Sequence, residues 1–354
     1  MAKLNLSNIG PMDNRIINGD FDIWQRGTSF APAVNGAFQT DRWEYQNGSD
    51  AVNSILQSTD VPTFAESGHT SKYSLKVDCT TADSAVAATD YVILIYRMEG
   101  LDVSPLIGKT ITVSFWVKST KTGGFTVCFY NNFTSEGYPI EYTISASDTW
   151  EKKTVSVLLP TTESWTTSNA VSLTVYFTIM GGSNFQMTPD TWNAGYALAT
   201  SNQVNGMDNT ANNFLLSQVK LEEGQIATPF ISRPFAEELA LCQRYYQKSY
   251  APGIFAGAST STGAMIAQPM GTLTRAVMTS ALFPVQMRTT PTVVVYDQLG
   301  ALDKVNDYNN SATTYTFSAF AGSTANMLGQ YVVTTGNMTS GVEVIFHYTA
   351  DAEL

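Results

Sequence analysis

Charge is the scarcest commodity in this sequence. Asp, Glu, Lys and Arg make up 14% of its 354 residues, against roughly a quarter in an ordinary globular protein. What charge there is leans one way, with 30 acidic and 19 basic residues and a net −11 at neutral pH. No basic run interrupts that balance. Nucleic acid is therefore excluded as a partner, because a phosphate backbone demands a basic surface. Histidine is almost absent: His69 and His347 lie far apart in sequence. GxSxG, HExxH, a phosphate loop and any telling Cys/His spacing are missing too. The chain reads as a non-enzyme, although paired carboxylates for glycoside hydrolysis can be assembled by a fold without leaving a motif. The three cysteines, Cys79, Cys128 and Cys242, are odd in number and widely spaced. They suggest buried thiols rather than a disulfide framework or a zinc site. No apolar run reaches transmembrane length, so membrane insertion is not expected. The opening MAKLNLSNIG has no apolar core and does not read as a secretory signal. No repeat of fixed period is present.

Ser, Thr, Asn, Gly and aromatic residues fill the space that charge leaves. They are arranged with a period of two. Tyr73, Leu75, Val77 and Cys79 alternate with Ser74, Lys76 and Asp78. Ile111, Val113, Phe115 and Val117 alternate with Thr112, Ser114, Trp116 and Lys118. Phe125, Val127 and Phe129 alternate with Thr126, Cys128 and Tyr130. Val171 to Ile179 follows the same rule, and Val155–Leu159 and Phe214–Leu221 add further strands. Such alternation marks half-buried antiparallel strands, and their number argues a sandwich. Tyr91–Met98 is apolar on both faces, so it is central or covered.

One stretch departs from period two. In RPFAEELALCQRYYQKSY, Pro234 suits a first helical position. Glu237 and Glu238 come early, and Arg244 and Lys248 late, as the helix dipole prefers. Phe235, Leu239, Cys242 and Tyr246 form one stripe, spanning fewer than two heptads, which is short for holding a trimer. The stripe is expected to contact its own β-domain or the same helix of another subunit. Beyond it, residues 251–354 carry three basic and six acidic groups. Thr292–Asp297, Thr314–Phe320, Gln330–Thr335 and Val342–Tyr348 read as strands. Phe255–Thr274 reads as a flexible polar tip, or as a loop with an edge strand. The resulting expectation is an all-β protein: an arm over 1–17, a jelly-roll sandwich over 18–231, one connector helix over 232–250 and a smaller β-sandwich over 251–354.

Several stretches resemble a known family. NGDFDIWQRG, DRW, GLDVSPLIGKTITVSFWVKS, TWEKKTVSV and FLLSQVKLEEGQIATPFISRPFAEELALCQRYYQKSY are similar to parts of bacteriophage tail-fibre and appendage proteins. The first four and the Phe214–Leu221 strand resemble their jelly-roll carbohydrate-binding module. The helical piece resembles the connector that follows it, and FPVQMRTTPTVVVYD the opening of a C-terminal β-domain. The resemblance implies a virion protein, made in the host cytoplasm, usually homotrimeric, contacting other virion proteins and a host cell-surface glycan. Long fibres carry shaft repeats before this module, whereas here it begins almost at Met1, which fits a fibre tip, a short spike or a head fibre. Two alternatives stand beside this reading. One is a structural decoration or collar protein that binds no sugar. The other is a secreted polysaccharide-acting module, disfavoured by the missing motifs.

A sugar site needs aromatic faces and side chains that reach hydroxyls. Trp116, Tyr130 and Tyr176 lie on the non-core side of their strands and would form a platform if those strands shared a sheet. A loop, the helix or another subunit could equally cover that side. Trp165 and Trp192, in polar loops, are the second candidates. No cofactor is expected. The resemblance places a structural calcium of related jelly rolls near Asn18 and Asp20, but calcium wants six to eight oxygens. A plain turn closed by Asn18 and Gly19 accounts for the same residues.

Overall fold

The structure is a computed structural model that describes residues 14–271, 273–278 and 282–354. The chain forms two compact units, one ending at Glu238 and one spanning Leu239–Glu353.

The first unit is a sandwich of two antiparallel sheets. The six-stranded sheet runs Ser29–Phe30, Val52–Ser58, Ser74–Thr81, Asn213–Glu223, Thr110–Ser119, Glu151–Leu158. The seven-stranded sheet runs Asn193–Ala194, Glu136–Ile144, Gly123–Asn131, Val171–Gly181, Tyr91–Glu99, Trp43–Asn47, Ala37–Thr40. Successive strands cross repeatedly between the sheets, in keeping with a jelly-roll arrangement. The alternation in Ile111–Val117 has its expected consequence, since all four apolar side chains are buried. Phe115 meets Phe177 of the facing sheet edge-on, with centroids 5.1 Å apart, and Phe125 meets Phe214 at 5.8 Å. Trp43 packs between Phe21, Tyr96 and Phe177. Aromatic pairs of this kind add to the hydrophobic burial that dominates the core.

The second unit corrects the expectation of a smaller sandwich. Its strands Val344–Asp351, Met265–Pro269, Arg275–Met278, Tyr331–Thr334, Asn310–Ala321 and Lys304–Asp307 pair in that order, and the last returns to the first through Asn306 opposite Ile345. The result is a closed six-stranded barrel, which removes unpaired edges. Tyr246–Lys248 and Thr292–Tyr296 flank the far end of Val344–Asp351. Phe346, Val344, Val295, Val305, Val332, Met287 and Leu328 fill the core. Within Phe255–Thr274, Met265–Pro269 is a strand paired on both sides and not an edge.

The connector also differs from expectation. Its helix covers only Phe235–Gln243, and Tyr246 already belongs to a strand opposite Asp351. The stripe is thus broken: Phe235 is 62% exposed, Leu239 half-buried, and Cys242 and Tyr246 buried in different element types. Two short helices, Phe64–Ser67 and Gly100–Val103, lie within the sandwich. Thr63 and Glu66 close a capping box on the first. Among the described residues no helix is long and apolar enough to cross a membrane.

Candidate functional site

The outer face of the seven-stranded sheet brings two of the three platform candidates together. Tyr130 and Tyr176 stand on adjacent strands with ring centroids 5.9 Å apart. Trp116 is on Thr110–Ser119, in the other sheet, where it lies opposite Lys152 and Ser217. A three-ring platform therefore does not form. Nor is the remaining pair open, since Tyr130 is 4% and Tyr176 5% exposed. The segment from Phe185 to Thr200 folds back over this face. Ala197 and Leu198 are buried against Ile93, Ile95 and Cys128, and the Thr178 hydroxyl donates to the Leu198 carbonyl at 2.5 Å. Small residues permit this close approach: a Cβ on Gly137 would lie 2.6 Å from the Ala197 Cβ and 3.1 Å from the Cys128 Sγ.

The cover is incomplete and leaves a recess of about 240 Å³. Ile93, Tyr176 and Leu198 line it together with Tyr91, Phe185, Tyr196 and Gln46. Tyr91 meets Phe185 edge-on at 5.3 Å. Tyr196 stacks on Tyr130 at 5.3 Å with planes 17° apart, yet remains 60% exposed. Gln46 donates from Nε2 to Glu44 Oε1 at 2.6 Å, and Glu44 is ion-paired with Arg97. A carboxylate can only accept, so the Gln46 amide orientation is fixed and its Oε1 remains available as an acceptor. The Tyr176 hydroxyl has no hydrogen-bond partner among the described residues. Burial pushes its pKa well above the usual phenol range, so it is a neutral donor at physiological pH. A ligand that closed the recess over this hydroxyl without bonding it would leave an unpaired polar group, at a cost in free energy.

The second candidates converge elsewhere. Trp165 and Trp192 pack edge-on at 5.9 Å, and Trp192 meets Tyr138 at 5.4 Å. Trp165 is buried and donates from Nε1 to the Pro160 carbonyl at 3.0 Å. The rings present edges to one another rather than a flat face.

Asn18 and Asp20 border a separate recess of about 230 Å³ that Asp22, Phe230, Arg233 and Glu238 also line. Here the turn reading accounts for the side chains. Asn18 donates to the carbonyls of Ile23 and Asp41 and accepts from the Ile23 N–H. Gly19 sits against the neighbouring strand, where a Cβ would lie 2.1 Å from the Val219 carbonyl oxygen. Both Asp20 oxygens are engaged, one by His69 Nε2 at 2.9 Å and the other by the Ser71 hydroxyl at 2.6 Å. Among the described residues no group of three or more His, Cys, Asp or Glu is placed to hold a metal ion. Asp22, in the same recess, has its pKa raised to about 6 by burial and by the Asp20 charge.

No family model matches this chain, and no curated protein matches it. Solved structures do. The enzymatically active domain of tailspike protein 4 of bacteriophage CBA120 matches with 13% identity and a TM-score of 0.32, over 61% of this chain and 22% of that one. A CBM4 structure matches with 12% identity and a TM-score of 0.30, over 58% of this chain and 98% of that one. The CBM22-1–GH10 modules of Clostridium thermocellum xylanase 10B, solved with xylohexaose, match with 14% identity and a TM-score of 0.29, over 59% of this chain and 30% of that one. Scores this low assign no ligand to this chain.

The sequence places Tyr176 on the outer side of its strand and does not single out Tyr91, Phe185, Tyr196 or Gln46, which line the recess with it. Tyr91 arrives from the Tyr91–Glu99 strand, Gln46 from Trp43–Asn47, and Phe185 and Tyr196 from the covering segment. The one local signal was the apolar pattern on both faces of Tyr91–Met98, which requires that the outer face be covered.

Proposed function

We propose that this protein is a non-catalytic glycan-recognition module of a bacteriophage appendage, binding sugar in the recess over Tyr176. The observation that carries the reading is the aromatic recess itself. Its walls include Tyr and Phe rings, which suit the apolar faces of a pyranose, and its polar groups are the hydroxyls of Tyr91, Tyr176 and Tyr196 and the Gln46 amide, which suit sugar hydroxyls. The volume lies below the ~300–1,000 Å³ typical of drug-sized ligand sites, which suits one sugar ring rather than a long chain. The appendage part of the reading is supported by the resemblance of the helical stretch RPFAEELALCQRYYQKSY to phage fibre connectors. The decisive experiment is adsorption of the purified protein to host cells, repeated with Tyr196→Ala. This ring is exposed, so its removal leaves the core intact. Loss of adsorption by a folded variant supports the proposal; unchanged adsorption removes the recess from it. A mass measurement in solution tests the trimer.

A further inference from the structure

We infer that the recess over Tyr176 selects a pyranose carrying an acetamido group. The inference rests on the glycan reading above and adds the class of sugar. Three features of the recess must be matched at once. Ile93 and Leu198, both 2% exposed, line it as aliphatic surface. The Tyr176 hydroxyl, on a side chain 5% exposed, has no partner among the described residues. Gln46 Oε1 is an acceptor whose orientation is fixed by the 2.6 Å bond from its Nε2 to Glu44. An acetamido group supplies the complement of each. Its methyl is apolar, its carbonyl accepts from a phenol, and its N–H donates to an amide oxygen. A plain hexose would press a hydroxyl against aliphatic carbon, with the cost of an unpaired polar group. A 6-deoxy sugar supplies a methyl, but its donors and acceptors are ring hydroxyls and not an amide that carries methyl, carbonyl and N–H in one planar group.

The test is calorimetric titration of the full chain with the methyl glycosides of N-acetylglucosamine, N-acetylgalactosamine, glucose, galactose and rhamnose. At least one acetamido sugar should bind about tenfold or more tighter than its parent hexose, the scale of one buried hydrogen bond. Tyr176→Phe keeps the ring and removes the hydroxyl, so it should fold normally and lose most of that preference. Equal affinity for acetamido and parent sugars, tightest binding of rhamnose, or an undiminished preference in Tyr176→Phe would each overturn the inference and leave the glycan reading standing. Failure of the folded protein to bind any of these sugars or host polysaccharide would overturn both.

Discussion

The His347 imidazole lies flat on the ring of Tyr250, with centroids 3.9 Å apart and planes 11° from parallel. Its Nε2 is 3.0 Å from the Thr260 carbonyl, which can only accept, so that nitrogen carries the proton. Its Nδ1 then accepts from the Ser249 hydroxyl at 2.9 Å. The imidazole is held neutral, and burial lowers its pKa below the usual histidine value. An unfolded chain therefore binds a proton here at a higher pH than the folded barrel does. The contribution of His347 to stability should be complete above about pH 6.5 and should fall as pH drops below it. Thermal unfolding followed from pH 7.5 to 5 checks this. His347→Gln, which cannot charge, should flatten the slope across that window; an unchanged slope would rule His347 out as its source.

Asp22 works in the opposite sense. Its folded pKa of about 6 lies above the ordinary carboxylate value. The stabilising contribution is present below about pH 4 and is lost as pH rises through 6. At neutral pH the buried charge beside Asp20 and Glu238 is a liability. Asp22→Asn should stabilise the protein by about 1 kcal/mol at pH 7.5, the full shift being discounted for partial solvent access. The gain should shrink towards pH 4. Urea titrations at both pH values measure it. An acid kept at such a cost in a recess also marks a place to examine for function.

Tyr196, which the sequence did not single out, and Trp116, which it grouped with Tyr130 and Tyr176, should behave differently. Tyr196→Ala removes an exposed ring stacked on Tyr130 and should cost no more than about 1.5 kcal/mol of stability. It should nevertheless weaken sugar binding at least about tenfold, a loss of ~1.4 kcal/mol. Trp116→Ala, on the other sheet, should leave sugar affinity unchanged. Titration of both variants with the same glycan decides the matter.

Removing Phe115 is a prediction about the core alone. Its ring touches Tyr142 at 5.1 Å and Phe177 at 5.1 Å. Phe115→Ala should cost about 3–5 kcal/mol by lost burial and a residual cavity, measured by urea unfolding.

What the sequence made legible follows from the range of the interactions involved. The run Ile111–Val117 announces its strand because period two is a local signal and the facing sheet buries the side it predicts. Tyr176 is legible as an outward residue of its strand for the same reason. Its actual surroundings depend on Phe185, Tyr196 and Leu198, which come from an irregular segment with no periodicity to read. Tyr246 is the reverse case. Its spacing from Cys242 fits a helix, but pairing with Asp351, more than a hundred residues away, overrides that local pattern. Closure of the barrel is equally non-local, resting on Asn306 meeting Ile345. For Phe255–Thr274 the sequence leaves open a tip or a loop with an edge strand, because Ala, Gln and Pro carry little strand preference; the two neighbours of Met265–Pro269 make it an interior strand.

The recess exists because Gly137 lets the covering segment lie close to the sheet. A Cβ there would meet the Ala197 Cβ at 2.6 Å and the Ala197 carbonyl oxygen at 3.0 Å. The first contact is far inside van der Waals range, and backbone cannot yield as a flexible side chain would. Gly137→Ala should therefore lift the segment around Ala197 and displace Tyr196 and Leu198, while the two-sheet core beneath stays packed. Overpacking of this kind costs about 1–3 kcal/mol. Hydrogen exchange should show the protection lost in residues 183–200 and retained in Ile111–Val117, and sugar affinity should fall with it. If Gly137→Ala loses protection over the covering segment but binds sugar as tightly as before, the ligand sits elsewhere on the molecule.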